Sequence, residues 1–297
     1  VKLNKTLLAV FFVSFSAASA SQPQETLEVK LSSPQISEGQ VALLDVSLGN
    51  KKLKAEQILI NFMGKALPVF STKTQNHHWY AILSVPVGTP TGELIADVAV
   101  VDGDHKISRS ASITVAPSPY GTEILKVDPT KVKLSEKDEE RSQKESIETA
   151  AIYASPASEK FWNSAVMLPI GSRITSPFGS KRLFNGALQS FHSGDDLRAM
   201  PGTPVKSAAN GIVRLAKNLF FAGNCVIVDH GMGFFTSYAH LSKFRAKVGE
   251  KLKQGQVLGL SGATGRVSGP HLHWGARVNE VVVSPVQLRR EFQKVWR

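Results

Sequence analysis

Two different hydrophobic rhythms divide this chain. From about Glu25 to Pro117, short runs rich in β-branched and aromatic residues alternate with polar positions and are punctuated by Gly, Asn, Asp or Pro. This period-2 pattern predicts strands at Leu27–Leu31, Val41–Leu48, Gln57–Phe62, Leu67–Phe70, His78–Val85, Gly92–Val101 and Ile107–Val115. Roughly seven such strands imply an antiparallel, immunoglobulin-like β-sandwich over residues 21–118. The Pro-rich stretch Ala116–Gly121 then reads as the start of a linker, 119–166. Within it, Ser135-Glu136-Lys137-Asp138 has capping-box spacing and predicts a helix whose charges form a solvated face. Pro156 ends that helix, and Phe161-Trp162 is expected to tuck against the following domain.

From Met167 to the last residue, 297, the pattern returns to strands and glycine turns, at Val205–Ala208, Gly211–Ala216, Asn224–Asp229 and Phe234–Leu241. Asn224–Asp229 and Phe234–Leu241 are joined through His230-Gly231-Met232-Gly233 as a hairpin. Val248–Leu252 and Gly255–Leu260 suggest a second hairpin-like unit. Helical periodicity is nearly absent, so this half is expected to be a compact, mainly antiparallel, all-β domain.

The first residues modify this picture. Lys2 and Lys5 precede an apolar run, Leu7–Phe15, and Ala18-Ser19-Ala20 has the small-x-small form of a cleavage site. Residues 1–20 therefore read as a signal peptide cut after Ala20, too short to span a bilayer. Export to the periplasm or the cell wall is expected, the periplasm being favoured because no wall-sorting or repeated wall-binding module is recognisable. With no cysteine just after the cut, a lipid anchor is not expected. The one cysteine, Cys225, sits in an apolar strand, so no intrachain disulfide can form and a packed, unreactive thiol is implied. The formal charge of +11 falls to +9 (11 − 2) without Lys2 and Lys5. An exported basic chain lacking aromatic-basic interleaving or a recognition helix points away from nucleic acid and toward an anionic wall polymer or membrane surface.

Candidate chemistry is confined to the second half. His77 and His78 are adjacent and face opposite ways on a strand, and His105 lies in a turn, so all three read as surface residues. Five of the 8 histidines fall after Met167. His192-Ser193-Gly194-Asp195-Asp196 offers an imidazole and a carboxylate four positions apart, a spacing that converges on either a helix or an extended segment. His271-Leu272-His273 places two imidazoles on one strand face. One of these with His192 and Asp196 would make a three-ligand set that leaves a position open for water, as a catalytic zinc requires. His273, with Trp274 and the strand behind it, is the better ligand and His271 the better substrate-facing residue, although spacing alone leaves that choice open. Tyr238-Ala239-His240-Leu241 adds Tyr238 and His240 on a shared strand face. A proton acceptor and an oxyanion donor would complete a hydrolytic site, roles open to His240 and His271. Tyr238 reads more readily as core, and His230, in a turn, as structural. The loop Ser261–Pro270 lacks the residues of a phosphate cradle and suits a close, backbone-lined approach to the site.

Taken in order, Ser176-Pro177-Phe178-Gly179, His192-x-Gly194-x-Asp196, Gly202-Thr203-Pro204-Val205, Tyr238-Ala239-His240-Leu241, Gly255-Gln256 and Gly269-Pro270-His271-Leu272-His273-Trp274 resemble the lysostaphin/LytM-type zinc metallopeptidases, which cleave peptide cross-links of bacterial peptidoglycan. The resemblance covers about Pro169 to Gln287. It implies zinc ligands His192, Asp196 and His273, catalytic His240 and His271, and an open antiparallel sheet crossed by a groove. The family's additional tyrosine has no equivalent here, Phe191 standing before His192. Arg182 and Asn185 are candidates to line the groove. The expected function is a zinc-dependent endopeptidase acting on peptidoglycan, as a monomer and without a membrane span. A non-catalytic wall-binding or hydrolase-activating protein is the alternative. A phosphocarrier-like module, suggested by Val248–Val257, is disfavoured by export and by the three-ligand set. The role of the first domain is open between positioning the enzyme and covering its groove.

Overall fold

The computed structural model describes residues 27–49, 55, 57–72, 77–125, 134–184 and 187–296. The expected signal peptide and Asn185 lie outside the described residues. The first half contains β1 (Leu27–Leu31), β2 (Gln35–Ser37), β3 (Val41–Leu48), β4 (Gln57–Phe62), β5 (Lys65–Ala66), β6 (Phe70–Ser71), β7 (His78–Ser84), β8 (Gly92–Asp102) and β9 (His105–Ala116). They form two sheets, ordered β1-β3-β7-β6 and β2-β9-β8-β4-β5. Alternate residues of both sheets, among them Leu44, Val46, Leu83, Ile60, Val98 and Ile113, close on one core. The alternation Leu44/Val46 against Asp45/Ser47 shows why these segments became strands with one dry face. A single strand over Leu67–Phe70 does not form: residues 67–69 leave the ladder, and pairing is confined to Lys65–Ala66 and Phe70–Ser71. Pro68 lacks the N–H that would continue the ladder.

The connector supplies β10 (Thr122–Leu125) and α1 (Glu136–Tyr153). Ser135 caps α1, its hydroxyl accepting from the Asp138 N–H at 3.2 Å. No α1 residue is buried, which fits its charged sequence. The helix is fixed by polar contacts to the next domain: Arg141 donates to Asn218 and the Phe220 N–H donates to Glu145 at 2.7 Å. At its last turn Tyr153 meets Phe235 edge-on.

The second half holds β11 (Ile174–Ser176), β12 (Lys181–Phe184), β13 (Ala187–Phe191), β14 (Gly194–Arg198), β15 (Pro204–Lys206), β16 (Gly211–Leu219), β17 (Gly223–Gly231), β18 (Phe234–Phe244), β19 (Lys251–Leu252), β20 (Val257–Ser261), β21 (His271–Val278), β22 (Val281–Val283) and α2 (Pro285–Val295). The main sheet runs β11-β14-β21-β18-β17-β16-β19, antiparallel throughout, with β15, β20 and β22 paired off this path. One expectation is corrected. The segments around Val248–Leu252 and Gly255–Leu260 are not a hairpin: β19 pairs with β16, whereas β20 pairs with β15 and β18. The half is mainly antiparallel sheet, as expected, and α2 covers the sheet. Ser284 caps α2 with Pro285 in its first turn, and Leu288 and Phe292 are buried.

One face of the main sheet, carrying Leu197, Val226, Tyr238, Leu272 and Trp274, packs under α2 and against the sandwich in one continuous core that includes Val41, Leu43, Phe70, Tyr80 and Ile82. Trp162 lies 1% exposed inside it, where the sequence placed it. Among the described residues no helix is long and apolar enough to cross a membrane.

Candidate metal centre

The other face of the same strands carries the chemistry. Leu272 and Trp274 point into the core, so His271 and His273 point away from it. Strand β14 lies antiparallel to β21 in a register that sets Asp196 opposite His273 and Arg198 opposite His271. His192 follows β13 at the turn into β14. Gly194 makes this turn possible, because a Cβ there would strike the Trp274 carbonyl oxygen and lie 2.8 Å from the His273 ring.

Three ligand atoms meet as a triangle: His192 Nε2 is 3.0 Å from Asp196 Oδ1 and 3.0 Å from His273 Nδ1, and His273 Nδ1 is 2.9 Å from Asp196 Oδ1. Donors about 2.0–2.1 Å from a tetrahedral cation stand roughly 3.3 Å apart, close to these edges. Two imidazole nitrogens and a carboxylate oxygen converging in this way form a donor set that suits zinc. Among the described residues this is the one such group of histidine, cysteine and acidic side chains. The site is largely dry, with His192 and Asp196 buried. Against the cost of that burial, the two imidazoles beside it, His192 and His273, hold the Asp196 carboxyl far below the usual carboxylate range.

The surrounding groups fix the orientation of the three. His192 Nδ1 lies 2.9 Å from the Pro177 carbonyl and 3.1 Å from Ser176 Oγ, which places its proton on Nδ1 and a lone pair on Nε2. Arg182 donates to Asp196 Oδ2 at 2.7 Å, leaving Oδ1 for the triangle. Asp195, next along β14, points the other way and accepts from the Phe178 and Val286 N–H groups at 2.9 and 3.1 Å. It thereby ties the loop before β12 and the start of α2 to the strand that carries Asp196. This residue was not singled out from sequence, although the alternation on β14 sends it to the face opposite Asp196.

His240 and His271 flank the triangle. Their ring centroids are 4.8 Å apart, and His271 Nε2 is 3.5 Å from Asp196 Oδ1. Each turns its Nδ1 toward a loop carbonyl, Thr264 and Gly269 respectively, at 2.8 Å. With Nδ1 donating, Nε2 of each is the atom left to act. Burial, with the neighbouring imidazoles, pushes the His240 pKa down to about 3. Tyr238 and His240 do not share a face. Tyr238 is fully buried in the core, its hydroxyl accepting from the Ala208 N–H at 2.7 Å, whereas His240 faces the groove. The reason is a bulge: between Val226 and Asn224 of β17, strand β18 spends one extra residue, and His240 takes φ 61°. His230 is structural, buried between the Asn210 carbonyl and the Thr236 hydroxyl at 2.7 Å each. Cys225 is a buried free thiol whose pKa burial pushes up to about 12.

A groove of about 700 Å³ runs over the triangle, walled by Ser190 and Phe191 on one side and Val267–Pro270 on the other. Arg182 lines it, in agreement with the sequence. So do Glu123 and Ile124 of β10, which sequence reasoning missed. Among the described residues, none of the sandwich strands contributes to the wall.

Residues 190–285 match the model of peptidase family M23. It is 45% identical over 103 residues to the peptidoglycan DD-endopeptidase ShyA of Vibrio cholerae, covering 34% of this chain and 24% of that protein. It is 40% identical over 117 residues to the DD-carboxypeptidase/endopeptidase Mpg of Neisseria meningitidis, covering 39% and 27%. The chain thus spans about a quarter of the length of these curated relatives. A solved structure from Pseudomonas aeruginosa assigned to peptidase M23 aligns over 86% of this chain and 96% of its own, at 28% identity and a TM-score of 0.66.

Proposed function

We propose that this chain is an exported, zinc-dependent endopeptidase that hydrolyses peptide bonds in peptidoglycan stem peptides or cross-links. The observation that carries the reading is the triangle of His192, Asp196 and His273 with two further imidazoles beside it, at the floor of an open groove. The family match and the relatives named for peptidoglycan endopeptidase activity support the substrate class. Zinc, held by these three side chains, would polarise the scissile carbonyl and acidify the attacking water. The chain's own residues do the rest. His240, neutral through burial, can take a proton at Nε2 because Nδ1 is committed to Thr264. His271, anchored the same way at Gly269, presents Nε2 on the other side, where in its protonated form it would donate to the developing oxyanion or pass its Nε2 proton to the leaving amine. The groove admits an extended peptide, and its glycine-containing rim lets that peptide lie close to the backbone. A periplasmic setting fits this substrate.

The test is zinc analysis of the purified chain together with a peptidoglycan digestion read by mass spectrometry of the released muropeptides. Wild-type protein is expected to bind one zinc and release products, and His192→Ala to do neither. Undiminished hydrolysis by His192→Ala would refute the metal assignment.

A further inference from the structure

The connector strand β10 lies parallel to β12, Glu123 opposite Arg182, and so brings a carboxylate from outside the matched domain to the edge of the metal centre. Both Glu123 oxygens lie within reach of the Ser176 hydroxyl, at 2.8 and 2.9 Å, and Oε2 is 3.4 Å from Arg182 Nε. A carboxylate can only accept, so Ser176 must donate its single proton to Glu123. The Ser176 oxygen is then left as acceptor for its two other neighbours, Arg182 at 3.0 Å and His192 Nδ1 at 3.1 Å. Together with the Pro177 carbonyl, 2.9 Å from His192 Nδ1, this chain of hydrogen bonds holds the proton of His192 on Nδ1, and it aims Arg182 at Asp196 Oδ2. The charge sequence Glu123, Arg182, Asp196 also leaves the cluster net anionic, as a dication requires. Without Glu123, Asp196 alone would balance the Arg182 guanidinium, and the cluster facing the cation would be neutral instead of anionic.

We propose that Glu123 is a positioning residue of the metal centre, acting through Ser176 and Arg182, so that the linker between the two domains completes the site. This rests on the metal reading above. Glu123 lies outside both residues 190–285 and the longer stretch from Pro169 that resembles the family.

The experiment titrates zinc into the metal-stripped full chain against a chelating indicator of known affinity, for wild type, Glu123→Gln, Ser176→Ala and the double variant. Thr122→Ala, a change at an exposed neighbour on the same strand that does not line the groove, is the control. Glu123→Gln is expected to weaken zinc binding about 10–100-fold, with the melting temperature of the metal-free protein unchanged and Thr122→Ala at the wild-type affinity. In the Ser176→Ala background the same change should have a clearly smaller effect, since its route to His192 is gone. This coupling is read from affinities and serves if the single variant folds poorly. Wild-type affinity in Glu123→Gln overturns the proposal, as does a gain of hydrolytic activity at unchanged affinity, which would make Glu123 an obstruction of the groove. Failure of the wild-type chain to bind zinc would instead overturn the metal reading itself.

Discussion

Five histidines of one domain have three different fates, set by what each nitrogen faces. His192 and His273 turn lone pairs to a shared point, His240 and His271 hold theirs over the groove, and His230 has both nitrogens satisfied inside the core. For His240 the expected outcome of His240→Asn is retained zinc binding with turnover about 10²–10⁴-fold lower, measured by metal analysis and digestion rate. Asn is chosen because it tolerates the left-handed backbone at this position, so the bulge survives. His230 yields a stability prediction. Burial lowers its pKa to about 4, below its ordinary value of 6.5, so the unfolded chain binds the proton more readily. Its contribution is intact above pH 6.5 and is lost as pH falls toward 4, amounting to about 3 kcal/mol. Denaturant unfolding at stepped pH should show this loss, and His230→Gln should flatten that part of the curve. A fall of equal steepness in the variant would assign it to other groups.

At the level of elements, the pattern was legible wherever one face of a strand is dry. Leu44–Leu48 and the pair His271/His273 against Leu272/Trp274 announce their facing directly, although facing alone does not choose between the two histidines as a metal ligand. Three features escaped for physical reasons. The bulge at His240 reverses alternation without a local signal, because φ 61° is imposed by pairing with β17 and not by a glycine. Strands β19 and β20 are defined by partners far along the chain, which local periodicity cannot show. Helix α2 was hidden because Glu291, on its buried face, interrupts the apolar stripe Leu288, Phe292, Val295, although Ser284-Pro285 was an available start signal. That face is polar where it meets the sandwich: Glu291 accepts from Ser32 and Ser33, and the Gln287 side-chain amide pairs with both the N–H and the C=O of Val41, at 2.9 and 2.8 Å. Gln287→Ala leaves both main-chain groups without these partners. A loss of about 2 kcal/mol, or roughly 4–8 °C in melting temperature, is expected by calorimetry. An unchanged melting temperature would mean that water replaces the amide fully.

For the whole molecule, the question left open by sequence was whether the first domain moves over the groove or holds still. The sandwich lies against the sheet face opposite the histidines, and one core runs through both halves. Phe70 stands at its centre, with ring centroids 5.5 Å from Trp162, 5.9 Å from Tyr80 and 6.0 Å from Trp296, side chains contributed by connector, sandwich and C-terminal tail. Lys160 lies over three of these rings, its Nζ 5.4–6.0 Å from their centroids. Separating the halves would expose this aromatic cluster to water, so the arrangement acts as a fixed mount and not as a hinged cover. Cooperative unfolding is the measurable consequence. The described halves should melt in a single calorimetric transition, and Phe70→Ala, a cavity in the sandwich portion, should lower that one transition by about 3–5 kcal/mol without splitting it. Hydrogen exchange should then loosen β21 and α2 along with β7, although the substitution lies about two hundred residues away in sequence from β21. A separate early transition confined to the sandwich would show that the shared core does not couple the halves, and that the first domain is free to leave the sheet.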